Sequence, residues 1–305
     1  MTATEWLIAG CVVLLTGCHV SDSAVPGRTM PLAVDVAPVT GGDWYAPPLG
    51  VTWQWQLQVS DEQPLNTDYD VALYGLDLFD TSEATIKSLQ AEGRKVICYF
   101  SAGSHESFRE DKVRFNDNDL GHSLIGWPDE RWLDIRSANV HRIMQDRLDL
   151  AVIKGCDGVD PDNVDGYLND SGFDFTAGDQ LAYNRFIANE AHRRGLAVGL
   201  KNDLEQILVL VDYYDFSVNE QCFQYDECEL LAPFIEAGKP VLNAEYPKEG
   251  DSLAHNPATM ALCNTANSLE FSTLILPVGL DDAFRIACQP SNGLPHAPAR
   301  TEEKP

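Results

Sequence analysis

The sequence predicts a single α/β domain, a (β/α)8 TIM barrel, on three observations. Short apolar runs with strand character alternate with helical runs from Thr52 to Pro277, the order expected of repeated βα units. The strand runs are apolar nearly throughout, as strands covered on both faces should be. No GxGxxG or GxxxxGK[ST] loop follows any of them, which removes the main support for an open nucleotide-binding sheet.

Eight strands are read over Thr52–Gln58, Val71–Leu76, Lys95–Phe100, Gly158–Asp160, Ala197–Leu200, Phe216–Val218, Pro240–Asn243 and Thr273–Pro277. A ninth run, Trp132–Ile135, is an accessory strand or part of an insertion after the third. The helices between them are periodic. Val140, Ile143, Met144, Leu148 and Ala151 share one helical face behind Ser137, a candidate N-cap. Tyr183, Phe186, Ile187 and Ala191 form a second such face. The helix after the second strand is expected to run from near Ser82 to Gly93, a residue suited to a left-handed end.

Outside this region the chain reads differently. The apolar stretch WLIAGCVVLLTG is too short for an ordinary membrane span and ends in Leu15-Thr16-Gly17-Cys18, which resembles a bacterial lipobox. Residues 1–18 are therefore read as a signal peptide with lipidation at Cys18, although Glu5 stands where a positive charge is usual. Residues 19–43, rich in Ser, Pro, Gly and Thr, read as a flexible tether, 44–288 as the barrel and 289–305 as a disordered tail. The chain is expected to be exported and lipid-anchored at a bacterial outer membrane or cell surface, or else secreted, and to act as a monomer.

The formal charge of −26 opposes nucleic acid and anionic membrane and attracts cationic partners. Six cysteines remain beyond Cys11 and Cys18, an even set that suits disulfides in an oxidising compartment. Cys222 and Cys228 can staple one loop, and Cys263 with Cys288 is a second candidate pair. Neither paired CxxC nor clustered His spacing is present, so no metal site is expected, and no cofactor. An EF-hand reading of Asp157 to Asp165 fails because Val164 stands where an oxygen ligand is required, and no GxSxG elbow supports serine chemistry.

In a (β/α)8 barrel the active site lies at the C-terminal ends of the strands. Acids recur there: Asp77 and Asp80 after the second strand, Glu106 beyond the third, Asp160 to Asp165 at the fourth. Lys201-Asn202-Asp203 follows the fifth, Asn219-Glu220-Gln221 the sixth, Glu245-Tyr246 the seventh, and Asp281-Asp282 the last. Paired carboxylates at a barrel mouth suit glycoside hydrolysis, where one protonates the leaving oxygen and the other attacks or activates water. Tyr99, Tyr225 and Tyr246 are candidates for stacking on sugar faces, whereas Trp53 and Trp55 read as core. Asp203 reads as an N-cap for a helix over Leu204–Val211.

The runs GVDPDNVDGY (158–167), GLKND (199–203), NEQCFQYDEC (219–228) and NAEY (243–246), with WQWQLQ (53–58) and YGLDLFD (74–80), resemble glycoside hydrolase family 114. The resemblance implies an endo-α-1,4-polygalactosaminidase on a TIM barrel, acting on cationic, galactosamine-containing polysaccharide. It places the paired acids on Asp162 and Glu220, with Asp160 and Glu245 as rivals, and the loop disulfide on Cys222 and Cys228. Asp162 is expected as nucleophile and Glu220 as acid/base. Asp77, Asp80 and Glu245 are candidates to bind the 2-ammonium group. Tyr99, Asp160, Asn163, Lys201, Asn202, Tyr225 and Tyr246 complete the expected substrate contacts. The alternatives are another polysaccharide specificity or a surface carbohydrate-binding protein without catalysis.

Overall fold

The computed structural model describes residues 32–247 and 256–289. Cys18, the expected signal peptide and nearly all of the expected tail lie outside the described residues. The chain begins its sheet with β1 (Trp53–Gln56), β2 (Leu73–Asp77) and β3 (Lys95–Ser101), then inserts β4 (Ser104–Glu106), β5 (Leu120–Leu124) and β6 (Trp127–Leu133). The series resumes with β7 (Gly158–Asp162), β8 (Ala197–Lys201), β9 (Phe216–Glu220), β10 (Val241–Glu245) and β11 (Ser272–Ile275), and ends in the short β12 (Ile286–Ala287).

The strands pair in chain order, β1-β2-β3-β7-β8-β9-β10-β11, all parallel, with β12 antiparallel beyond β11. The sheet curls until its ends meet. There the Trp53 indole donates to the Ser272 carbonyl at 2.8 Å and the Ser272 hydroxyl to the Val51 carbonyl at 2.8 Å. The Gln54 amide also reaches Asp282 at 2.8 Å, so side chains rather than a regular ladder fasten this seam.

Burial follows the two faces of the strands. Leu73 and Ile97 point into a core with Trp53, Trp55, Phe216 and Leu242, inside the curl. Their neighbours Tyr74, Val96 and Cys98 join the larger core under the helices. α1 (Glu83–Ala91) is capped by Ser82, whose side chain accepts from the Thr85 N–H, and the chain leaves it through Gly93 at φ 83°. α2 (Ala138–Lys154) is capped by Ser137 and buries Val140, Ile143, Met144, Leu148 and Ala151, the face read from the sequence. Leu148 is fully buried, and truncating it to Ala would cost about 3 kcal/mol.

α3 (Ala177–Arg193) opens on a Thr176–Asp179 capping box and buries Tyr183, Ile187 and Ala191. After it come the short α4 (Ile207–Leu210), α5 (Cys222–Tyr225) and α6 (Ala232–Glu236), then α7 (Pro257–Ser268). β4, β6 and β5 form a separate antiparallel sheet, so the accessory run belongs to the insertion and starts earlier than expected.

Three disulfides join Cys98 to Cys156, Cys222 to Cys228 and Cys263 to Cys288. The first ties β3 to the turn before β7. The expected tether to residue 43 ends sooner. The Asn189 side chain bonds Val39 and Ala37, while Arg185 and Tyr213 bond the carbonyls of Val34 and Val36. Linker-like composition here hides a segment whose backbone groups are satisfied by polar side chains of the helical layer.

Candidate active site

Asp162, Lys201 and Glu220 are the last residues of the neighbouring strands β7, β8 and β9. Each is followed by a residue in the left-handed region: Asn163 (φ 60°), Asn202 (φ 48°) and Gln221 (φ 62°). That conformation turns the chain sharply off the strand and leaves the terminal side chain facing the barrel mouth. Asn tolerates it through local hydrogen bonding; for Gln221 it costs about 1 kcal/mol. The turns are pinned. The Asp162 carbonyl accepts from Ala102 and Gly103 N–H at 2.8 and 3.0 Å, and the Asn202 side chain accepts from Glu220 N–H at 3.0 Å. A Cβ on Gly103 would lie 1.6 Å from the Asn163 carbonyl oxygen, so only glycine allows this approach.

The three side chains form one unit. Lys201 Nζ lies 3.0 Å from Asp162 Oδ1 and 3.0 Å from Glu220 Oε2. The two oxygens are therefore no more than about 6 Å apart. Asp162 also accepts from the Tyr99 hydroxyl at 2.9 Å and from Asn163 N–H at 2.7 Å. Glu220 accepts from the Tyr246 hydroxyl. Burial first, then the neighbouring carboxylates, hold both phenols well above their ordinary pKa, so they remain donors. Burial opposes the Lys201 ammonium, but Asp162, Glu220 and Asp160 outweigh it and raise its pKa. Trp55 lies under the ammonium, 5.1 Å from Nζ to the ring centre, so this core residue also floors the site.

Above the unit opens a cavity of about 680 Å³. Leu57, Gln58 and Val278 to Leu280 line one part of it; the inserted sheet supplies His122, Ser123, Ile125, Trp127 and Glu130. Arg109, three residues past the insertion's first strand, ties the insertion to the end of β2. It donates to both oxygens of Asp77 (2.6 and 3.0 Å) and to Glu106 (2.9 Å), with Asp80 at 3.3 Å.

The remaining expected residues divide on geometry. Asp77, Asp80, Tyr99, Asn163, Lys201, Asn202 and Tyr246 line the cavity together with Asp162 and Glu220. Asp77 is not free for a sugar ammonium, because Arg109 and two backbone N–H groups occupy its oxygens. Glu245 is outside the lining and buried, accepting from Phe223 N–H and Asn243. Tyr225 is exposed and also outside it. Asp160 is buried beneath the unit; burial, with Asp162 and Glu220 adding to it against Lys201, pushes its carboxyl up to about 7.

Asp203 corrects the capping expectation. It sits at φ 48° and makes no side-chain cap; instead it is buried and accepts from Asn184 at 2.8 Å. Burial and the nearby Asp165 push it up to about 8. Of the cavity's residues, Arg109, Glu130 and Trp127 were not expected from the sequence, and Asp165 was expected only as a strand-end acid. Only the three-residue step from Glu106 to Arg109 hinted at a pairing.

Two fixed carboxylates, less than about 6 Å between their nearest oxygens and anchored by one ammonium, can act on opposite sides of a glycosidic bond. Among the described residues no group of three His, Cys, Asp or Glu side chains is arranged to hold a metal ion.

The model of glycoside-hydrolase family GH114 matches residues 34–292. The crystal structure of Aspergillus fumigatus Ega3 in complex with galactosamine is 46% identical, with 82% of this chain and 99% of that chain covered and a TM-score of 0.76. The glycoside hydrolase domain of PelA from Pseudomonas aeruginosa is 14% identical, covering 76% of this chain and 96% of its own, with a TM-score of 0.57. Eubacterium rectale Amy13B is 10% identical over 77% of this chain and 66% of its own, at 0.51. These last two are similar in fold alone. No curated protein matches the chain. With strand-end carboxylates on a curled parallel sheet, a family model over most of its length and a relative of 46% identity, the chain belongs to glycoside-hydrolase family GH114.

Proposed function

We propose that this glycoside hydrolase cuts α-1,4-linked galactosamine polymers internally, with Asp162 as nucleophile and Glu220 as acid/base, by a retaining route. The observation that carries the reading is the Asp162–Lys201–Glu220 unit at the floor of an acidic cavity. Eight carboxylates line that cavity (Asp77, Asp80, Glu106, Glu130, Asp162, Asp165, Asp170, Glu220), against Arg109 and Lys201 as permanent cations. Such a wall favours a cationic sugar chain over a neutral one. The similar Ega3 structure, a complex with galactosamine, supports the same substrate class.

Three donors (Lys201, Tyr99 and Asn163 N–H) hold Asp162 as an oriented carboxylate. It attacks the anomeric carbon while Glu220, protonated, passes its proton to the leaving oxygen. Negative charge thus leaves Asp162 as the ester forms and appears on Glu220. Lys201 lies 3.0 Å from each, so its ammonium compensates the charge before and after the step without moving. Glu220 then takes a proton from the water that opens the ester. An upper bound of about 6 Å between one oxygen of each acid supports a retaining route, for which carboxyl groups stand about 5–5.5 Å apart.

Incubating the protein with partly deacetylated α-1,4-galactosaminogalactan and with neutral glucans tests the reading. Oligomers released from the first alone support it; release from neither removes it. We also propose export, with Cys18 as lipid anchor. The three disulfides suit an oxidising compartment, and Cys18→Ser should move the protein from the membrane fraction to the medium.

A further inference from the structure

Most carboxylates around the cavity already have a cation from the protein. Asp162 and Glu220 share Lys201, and Asp77, Asp80 and Glu106 surround Arg109; Asp170 is hydrogen-bonded to His122. Glu130, on β6, has no such cation. It lines the cavity at 9% exposure, and its Oε2 accepts the Ser104 hydroxyl at 2.6 Å. Among the described residues no Lys, Arg or His forms an ion pair with it, and no donor reaches Oε1. Arg109 acts on it only from a distance. Burial pushes its carboxyl up to about 7; the Ser104 hydrogen bond offsets this in part, while Glu106 and Asp162 add to it. Asp165, the other carboxylate of the wall without an ion pair, is also pushed up, to about 6, by burial and Asp162, but it stands just past β7, on the barrel side of the cavity and not on the insertion.

A buried carboxylate without a counter-ion is costly, and either a proton or an arriving cation relieves it. Its one open side is the cavity. We propose that Glu130 is the specificity-determining residue for the free amine, its Oε1 accepting from the 2-ammonium group of a galactosamine unit bound between β6 and the Asp162–Glu220 pair. The inference rests on the galactosamine reading above and names the residue that distinguishes amine from acetamide or hydroxyl. An N-acetylated unit brings no charge to Glu130 and a bulkier group to the same wall. The rim suits a sugar: Trp127 and Phe108 line the cavity from the insertion and are 47% and 59% exposed, leaving aromatic faces open to ring C–H groups. The insertion therefore completes the substrate site instead of merely covering the barrel.

The test uses the full chain with Asp162→Asn, to stop turnover, titrated calorimetrically with α-1,4-galactosamine and α-1,4-galactose tetrasaccharides. Adding Glu130→Gln should weaken galactosamine binding about tenfold and leave galactose binding unchanged. Glu130→Asp, which keeps the charge, should retain most of the discrimination and guards against a folding defect in the amide variant. Equal losses for both ligands would reduce Glu130 to a wall residue held by Ser104, and no change in either would also overturn the proposal. Glu130-dependent binding in a protein that cleaves no galactosamine polymer would uphold this inference and remove the hydrolase reading. Cleavage with an unaltered amine preference in Glu130→Gln would do the reverse.

Discussion

Asp162 and Glu220, at the ends of strands separated by one other, are bound to the same ammonium: Lys201 Nζ lies 3.0 Å from an oxygen of each. The lysine is 3% exposed, and its ammonium also lies over the Trp55 and Tyr99 rings. Lys201→Met should lower kcat about 100-fold with a smaller change in KM, because the compensated charge is the one that moves during the reaction. It should also lower stability by about 3 kcal/mol, measured by denaturant unfolding, since two part-buried carboxylates lose their cation. Lys201→Arg should not restore the rate, because a planar fork cannot take the place of a point charge between two oxygens.

The roles of the two acids separate by leaving group. Asp162→Asn and Glu220→Gln should each lower polymer cleavage by about a thousandfold or more. On an α-galactosaminyl fluoride, whose leaving group needs no proton, Glu220→Gln should recover its first turnover and Asp162→Asn should not. Recovery in the aspartate variant instead would exchange the assignments.

Asp203 links the site's acidic setting to stability. Its folded carboxyl is pushed up to about 8 by burial and Asp165, against about 3.9 in an unfolded chain. A raised folded value means stability that is full below the unfolded pKa and is lost as pH rises through the folded one. The loss runs from about pH 4 to pH 8, at up to about 1.4 kcal/mol per pH unit. Thermal melts of Asp203→Asn should therefore fall less between pH 5 and 8 than those of the native protein. Parallel curves would show that Asp203 is ionised throughout.

Salt should matter for a polycation. With a net charge of −26, KM for deacetylated polymer should rise about tenfold between about 0.05 and 0.5 M salt, with kcat nearly constant. The slope should flatten as the substrate is acetylated. A salt-insensitive KM would remove long-range attraction from the account.

The sequence announced the parts of this site that are local. Asp162, Lys201 and Glu220 close apolar runs, and a strand-end residue in a parallel barrel needs no long-range information to be placed at the mouth. The capped, periodic helices α2 and α3 were equally legible, because cap and face are written within a few turns. What stayed hidden is pairing at distance. Asp77 looks as free as Asp80 in sequence, yet Arg109, 32 residues on, takes its charge. Glu130 looks like one acid in a polar loop, and only the fold of the insertion brings it over the pair. Asp203 misled for a related reason: its position suited a cap, but left-handed geometry turns it toward Asn184 and into the core.

Covalent trapping identifies the nucleophile. The Glu220→Gln variant, given an α-galactosaminyl fluoride, should accumulate one glycosyl unit on the peptide that carries Asp162, seen by mass spectrometry after proteolysis. First-formed products of the native enzyme should be α anomers by NMR. An unmodified Asp162 peptide, together with β anomers as first products, would contradict the account and make the pair an inverting one.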